Sequence, residues 1–405
     1  MKTVQRRFLY SCSRLFVAAA LVTVGCEHVE SVVDDVKSTV SEQMQSEPAA
    51  PVAVTPAPAP APPTPAAPPQ PTAQQLLAEF QALRPDQVND AALARVTSLP
   101  EAASAVTEVV ITSIEITRNG LACLASMENL KRLSLRCPLI PSSDLNVIAE
   151  ARSLSSLDLA ATKTTDEVVG NLTSLSSLES LSLAGTPVTH AVGAPLTRFT
   201  ELKSLDLTNT LADDATVAAV ASLPLRELKL ARTRITNATI DTVRKIKTLE
   251  NLDVASCQVT GNAFKGISST GIKRLVIADT PFGIEGYAAL KGMRNLEELH
   301  GTKSQLMEHK AANVFRTMPN LRILDLGNNA LTNAGMEVYF KGHRTLEELY
   351  LGENRGISDL GLASLIGIKT LRFLDVHHTG CTASGAQALK EKLPDCRIQT
   401  SEGAF

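Results

Sequence analysis

The chain contains no tryptophan, and aromatic residues make up only 3% of its 405 positions. A pocket that stacks a flat cofactor is therefore not expected, and the interior has to be built from Leu, Ile, Val and Ala. A dominant charge is also missing. The net charge is −3, so the electrostatic footprint of a nucleic-acid binder is absent and no nucleic-acid partner is expected. None of the seven cysteines stands in a CxxC pair, which argues against a zinc site of that kind. No Ser/His/Asp grouping, phosphate loop or metal-ligand spacing is evident, so neither enzyme activity nor a cofactor is expected.

What the chain has instead is one unit, repeated. Leu202-Lys203-Ser204-Leu205-Asp206-Leu207-Thr208-Asn209-Thr210 reads L-x-x-L-x-L-x-x-T. Its last two leucines follow the period of a strand with one buried face. The aliphatic triplet recurs at Leu130/Leu133/Leu135, Leu154/Leu157/Leu159, Leu178/Leu181/Leu183, Leu225/Leu228/Leu230, Leu249/Leu252/Val254 and Ile272/Leu275/Ile277. It continues through Leu296/Leu299/Gly301, Leu321/Leu324/Leu326, Leu346/Leu349/Leu351 and Leu371/Leu374/Val376. From Leu130 to Leu371 each step is 23, 24 or 25 residues. Ile111/Ile114/Ile116 reads as the first copy and Leu393/Cys396/Ile398 as a degenerate last one.

This period and strand motif resemble the leucine-rich-repeat family. The resemblance covers about three quarters of the chain and is nearest to the ribonuclease-inhibitor-like and cysteine-containing subclasses. It implies an α/β solenoid shaped as a horseshoe, with parallel strands on the concave face and helices on the convex face. Curvature is expected on physical grounds too, because packed helices need roughly 10 Å each where strands need about 4.8 Å. The repeat domain spans 109–405 and holds 12–13 repeats. Within a repeat the strand leads through a turn to a helix, with Thr236 or Asn237 as N-cap and the same pattern at Ser358-Asp359 and Thr332-Asn333. The ninth position is mostly Thr, once Cys257 and twice Asn (Asn329, Asn354). Such a side chain can bond the turn backbone and link one repeat to the next.

Ahead of the repeats, the first 108 residues divide into four parts. Residues 1–25 have a basic head (Lys2, Arg6, Arg7, Arg14) and a ten-residue apolar run, Leu15 to Val24. That run is too short to span a bilayer comfortably and fits a secretory signal. Its end, Thr23-Val24-Gly25-Cys26, resembles a bacterial lipobox, which implies lipidation of Cys26 and an exported lipoprotein anchored in the outer membrane or at the cell surface. Cleavage after Ala20 is the alternative. Residues 26–47 read as a polar stalk. Residues 48–72 form a Pro/Ala-rich linker whose eleven prolines favour extended polyproline II, reaching up to about 75 Å. Residues 73–108 look helical and are expected to cap the open end of the first repeat.

Function is expected on the strand face. Its fifth-position column runs Glu115, Ser134, Asp158, Ser182, Asp206, Lys229, Asp253, Val276, His300, Asp325, Tyr350, Asp375, with no two acids adjacent. That alternation avoids like charges across strands and argues against a calcium cluster. The C-terminal third departs from it. Ile323 and Phe373 at third positions, Tyr350 at a fifth and His377 at a seventh would form an apolar patch among acids, with Asp325, Asp375 and His300 around it, as in an interface core with a polar rim. A cap covering these residues is the alternative, and Ser156/Ser180/Ser204 are a second candidate surface. Cys123, Cys137, Cys257, Cys381 and Cys396 are expected as buried thiols, a Cys123–Cys137 or Cys381–Cys396 bridge being the alternative. The doublet His377-His378 is not expected to share a metal, because neighbours on a strand point to opposite sides. Gly301, in place of a core aliphatic, is expected to leave a weak point.

The resulting expectation is a non-catalytic, lipid-anchored binding scaffold of the bacterial envelope, with a protein or peptide partner on the concave face and a membrane contact through the anchor. A structural envelope spacer is one alternative. Another is an F-box-like or effector substrate-recognition protein, since the repeat also resembles those families.

Overall fold

The computed structural model describes residues 70–306 and 314–405. The signal-like segment, Cys26, the stalk and nearly all of the Pro/Ala linker lie outside the described residues. Three helices come first, α1 (Ala73–Gln81), α2 (Asp90–Thr97) and α3 (Pro100–Ala105). The side chain of Thr72 caps α1 in a reciprocal capping box with Gln75, and Asn89 caps α2. Their apolar faces, carried by Leu76, Phe80, Leu93 and Val96, join the same hydrophobic cluster as the repeats.

Strands then succeed one another as β1 (Glu108–Ile111), β2 (Arg132–Leu135), β3 (Ser156–Asp158), β4 (Ser180–Ser182), β5 (Ser204–Asp206), β6 (Glu227–Lys229) and β7 (Asn251–Asp253). They continue with β8 (Arg274–Val276), β9 (Glu298–His300), β10 (Ile323–Asp325), β11 (Glu348–Tyr350), β12 (Phe373–Asp375), β13 (Arg397–Thr400) and β14 (Gly403–Ala404). All belong to one open sheet whose spatial order equals the chain order. Every pair is parallel except β13–β14, which is antiparallel. This is the solenoid that the 24-residue step demands: each repeat touches only its neighbours. Register is fixed because the central leucine of each strand is core, so that a one-residue slip would turn it to water. Leu181 faces Leu205, Leu205 faces Leu228, and Leu228 faces Leu252.

Three local expectations need correction. The first strand is not built on Ile111/Ile114/Ile116. Val109 pairs with Leu133 and Ile111 with Leu135, while Ile114 is 74% exposed. The first triplet is therefore Val106/Val109/Ile111, and the fifth position is Val110 rather than Glu115. Second, the return segment is not always an α-helix. It is 3₁₀ over Ser142–Glu150, Gly261–Phe264 and Phe315–Thr317, a tighter turn used in short pieces.

Third, Gly301 does not leave a hole. A Cβ placed there would sit 2.2 Å from the Tyr287 hydroxyl, so the phenol of the preceding helix (Gly283–Ala289) occupies the space a leucine would fill. Tyr287 is fully buried, and its hydroxyl lies 2.5 Å from Ser304 Oγ. Leu299 and Leu306 on either side are fully buried as well. The tyrosine belongs to a row of edge-on rings, Phe264–Phe282 at 4.9 Å, Phe282–Tyr287 at 5.2 Å, Tyr287–Phe315 at 5.8 Å and Phe315–Tyr339 at 5.6 Å. These spacings suit the favourable edge-to-face geometry.

Candidate functional site

At the ninth position the two residue types do different work. Each threonine donates to the carbonyl three residues earlier in its own repeat: Thr162 to Leu159, Thr186 to Leu183, Thr210 to Leu207 and Thr233 to Leu230, at 2.6–2.7 Å. For Thr162, Thr186 and Thr210 these bonds close a turn within one repeat; Thr233 also meets Cys257 Sγ of the next repeat at 3.7 Å, and that thiol donates back to the Leu230 carbonyl at 3.0 Å. The asparagines reach the neighbouring repeat as well. Asn354 Oδ1 accepts from the N–H groups of Asn329 and Leu331, and its Nδ2 donates to Leu326 and Leu351. Asn329 joins Ser304, Leu306 and Gly301 in the same manner.

A second ladder runs along the helix starts, and it escaped the sequence reading. The first helical Asp or Asn of one repeat accepts from the N-cap Thr or Ser of the next. Asp166 takes the Thr189 N–H and hydroxyl, Asp214 those of Thr236, and Asp359 those of Thr382. Asn333 accepts from the Ser358 N–H. Thr236 is the N-cap of its helix, as one of the two expected candidates, whereas Ser358 and Thr332 occupy N-cap positions without a side-chain cap bond. The signal was the recurrent Thr/Ser-Asp/Asn pair about 23–25 residues apart.

On the strand face, the fifth-position aspartates are engaged by their own turns. Asp158, Asp206, Asp253, Asp325 and Asp375 each accept the N–H two residues on, at 2.9–3.0 Å. This is the Asx turn that closes a strand end. Asp325 also accepts from Thr302 Oγ1 at 2.7 Å. Both Asp375 oxygens lie 2.7 Å from His377 Nδ1. The acids of this column thus shape the surface first.

Of the apolar exceptions, Tyr350 and Phe373 meet, whereas Glu348 stands between Ile323 and Phe373 on the sheet. Ile323 pairs with Glu348 and Glu348 with Phe373, while His300 pairs with Asp325, Asp325 with Tyr350, and Tyr350 with Asp375. Ile323, Tyr350, Phe373 and His300 are all half-buried. The Tyr350 and Phe373 rings touch at 5.2 Å between centroids. Tyr350 Oη donates to Glu348 Oε2 at 2.7 Å; burial and that carboxylate push the phenol up to about 12. It remains a neutral donor. Rim charges pair across strands near the strand starts, Arg322 with Glu347 at 2.7 Å and Arg274 with Glu298 at 3.0 Å.

His377 and His378 correct the strand-alternation expectation. Both lie beyond β12, and His378 has φ 51, so the two-residue period no longer applies. Their rings are 5.0 Å apart. The His377 ring lies over Gly352, where a Cβ would come within 2.2 Å of its Cε1. His378 Nδ1 lies 2.6 Å from Glu353 Oε1. The five described cysteines are free thiols. Burial pushes Cys137 and Cys396 up to about 11 and raises Cys257 and Cys381, so these four are held as neutral thiols.

Residues 319–380 match the leucine-rich-repeat family model. No curated protein matches the chain. Among solved structures, an internalin from Listeria monocytogenes is 16% identical, with 79% of this chain and 96% of that one covered at a TM-score of 0.51. A leucine-rich-repeat protein of Leptospira interrogans is 18% identical over 68% of this chain and 80% of its own, at 0.45. A plant peptide hormone receptor solved in complex with RGF2 is 15% identical over 73% and 47%, at 0.41. At such identities the likeness speaks to the fold. Residues 319–380 thus carry the repeat in sequence, and the described residues share the solenoid fold of the internalin, one open sheet of mostly parallel strands backed by helices.

Proposed function

We propose that the protein is a non-catalytic binding scaffold whose strand face takes a protein or peptide partner, with Ile323, Tyr350 and Phe373 as the anchor. The carrying observation is the ring pair Tyr350–Phe373, half-buried on the sheet face at a register where other repeats place Ser, Glu or Asp. An apolar group in that place adds little to folding, whereas an aromatic anchor at an interface centre contributes about 2 kcal/mol or more. His300 and His377 flank the anchor. Asp325 and Asp375 hold the turns around it, and Glu348 fixes the phenol.

The test is the double variant Tyr350→Ser/Phe373→Ser, compared with wild type by cross-linking and affinity capture from intact cells. Capture of the partner is expected to weaken at least tenfold, with little change in melting temperature. A large fall in melting temperature would make the patch covered core. Capture unchanged at an unchanged melting temperature would move the ligand to the Ser156/Ser180/Ser204 surface, or leave a spacer without a selective ligand.

The scaffold is proposed to act at the cell envelope, exported and held by a lipid on Cys26. Support comes from the basic head, the ten-residue apolar run and the Gly25-Cys26 pair. Cys26→Ala is expected to move the protein from the membrane fraction to the soluble fraction. Wild-type partitioning of the variant would remove the anchor.

A further inference from the structure

The eighth position of every repeat from Ala161 to His378 has a positive φ. The residues are Ala161, Gly185, Asn209, Arg232, Ser256, Asp279, Lys303, Asn328, Glu353 and His378. Only Gly, Asn and Asp take this left-handed conformation readily. The fold imposes it on Arg, Lys, Glu and His alike, and it lines the ten residues up in one column. Column neighbours can touch: Ser256 Oγ donates to Asp279 Oδ2 at 3.1 Å, and Glu353 meets His378 at 2.6 Å. Beside this last pair stands His377, its ring free to lie over the turn because the residue beneath is Gly352.

We propose that Glu353, His377 and His378 bind a divalent transition-metal ion, of which zinc(II) fits the donor set best. One ligating atom from each of the three lies within 4.8 Å of the others, the one such group of His, Cys, Asp and Glu among the described residues. Tetrahedral zinc with bonds of 2.0–2.1 Å needs donors roughly 3.3 Å apart. The side chains of His378, His377 and Glu353 are 64%, 41% and 40% exposed, which leaves them room to swing inward. Asp375 already holds His377 Nδ1 with both oxygens. A proton on that nitrogen leaves Nε2 as the lone-pair donor, an arrangement in which a carboxylate behind a histidine orients it for a metal. Two imidazoles favour zinc, copper or nickel over magnesium or calcium, which prefer all-oxygen shells. Glu353 and Asp375 bring two negative charges to balance the ion. Arg355, whose charge also acts on Glu353, opposes it and sets a limit on affinity. Three protein ligands leave a fourth position for water or for a side chain of a bound partner.

The test uses the full chain, freed of metal by a chelator and titrated with zinc chloride by calorimetry, then with cobalt(II) to read coordination by its visible spectrum. One zinc ion is expected at micromolar metal, with a cobalt spectrum of tetrahedral type. His378→Ala, His377→Ala and the near-isosteric Glu353→Gln should each weaken binding at least tenfold, while His190→Ala, on a distant repeat, should not. Circular dichroism confirms that each variant is folded. Absence of zinc binding by wild type at 100-fold excess, or equal binding by all three variants, overturns the proposal. In that event the cluster is two hydrogen-bonded His–carboxylate pairs and nothing more.

Discussion

Between Leu154 and Thr260 the repeats hold to one another through aliphatic side chains, strand hydrogen bonds and the part-buried or exposed Asp–Thr rungs at the helix starts. Between Gly261 and Asn354 two further devices enter. The aromatic row from Phe264 to Tyr339 threads one repeat to the next, and the buried Asn329 and Asn354 bond across the turns. The same fold thus stores its cohesion differently along its length. Where polar rungs lie near water, breaking one exchanges a protein partner for solvent; where they lie in the core, the orphaned groups have no replacement.

The sharpest way to break this contrast is Tyr287→Ala. It empties the space that Gly301 leaves and interrupts the ring row, with an expected cost of about 3–5 kcal/mol. Native-state hydrogen exchange should localise the opening around Leu299 to Leu306 and leave Leu205 to Thr210 protected. Uniform loss across both segments would show that the array unfolds as one unit.

Next comes a pair of substitutions at equivalent places. Asn354→Ala removes a side chain that accepts two backbone N–H groups and donates to two carbonyls in the core; about 3 kcal/mol is expected. Thr210→Val loses the donation to the Leu207 carbonyl and the long 3.4 Å acceptance from the Ala212 N–H, both within its own turn, and should cost about 1 kcal/mol. Urea unfolding of both variants checks the ratio. Equal costs would mean that the buried ladder adds nothing beyond turn closure.

Acid supplies a comparable but regional effect. His343 is buried, and this burial, with Arg316 nearby, holds its imidazole down at about 4 against an ordinary 6.5. The unfolded chain takes up a proton first as pH falls, so the stabilisation is complete above pH 6.5 and is lost progressively toward pH 4. About 3 kcal/mol is at stake over that window. His343→Leu should flatten the pH dependence of hydrogen exchange around Tyr339 to Leu346. An unaltered profile would place the sensitive group elsewhere.

The repeat was legible because leucine at three fixed places in a 24-residue step has no other economical reading. It failed where position and chemistry part company. At the first strand Ile111, Ile114 and Ile116 satisfy the letters of the motif, yet Ile111 stands 19 residues before Leu130, whereas Val106 stands 24 before it. Keeping the step would have chosen the right triplet. Gly301 read as a defect because the residue that fills its place is in the preceding helix, outside the strand motif. The strand neighbours of the apolar anchor follow from register and were readable. Left-handed backbone at Glu353 and His378 was not, since neither residue type announces it; hence the meeting of those side chains with His377 needed coordinates.

The antiparallel hairpin at β13–β14 has a consequence for how chains of this kind meet. A parallel sheet ending in an unpaired strand offers a template on which another copy can continue the series. Here the edge of β13 is already used, through Ile398 and Phe405 exchanging both backbone bonds at 2.8 and 3.0 Å. Beyond it stands only a two-residue strand of opposite direction. While this hairpin is in place, the backbone groups of Ile398 are closed to a strand from a second copy, so sheet extension through β13 first has to displace β14.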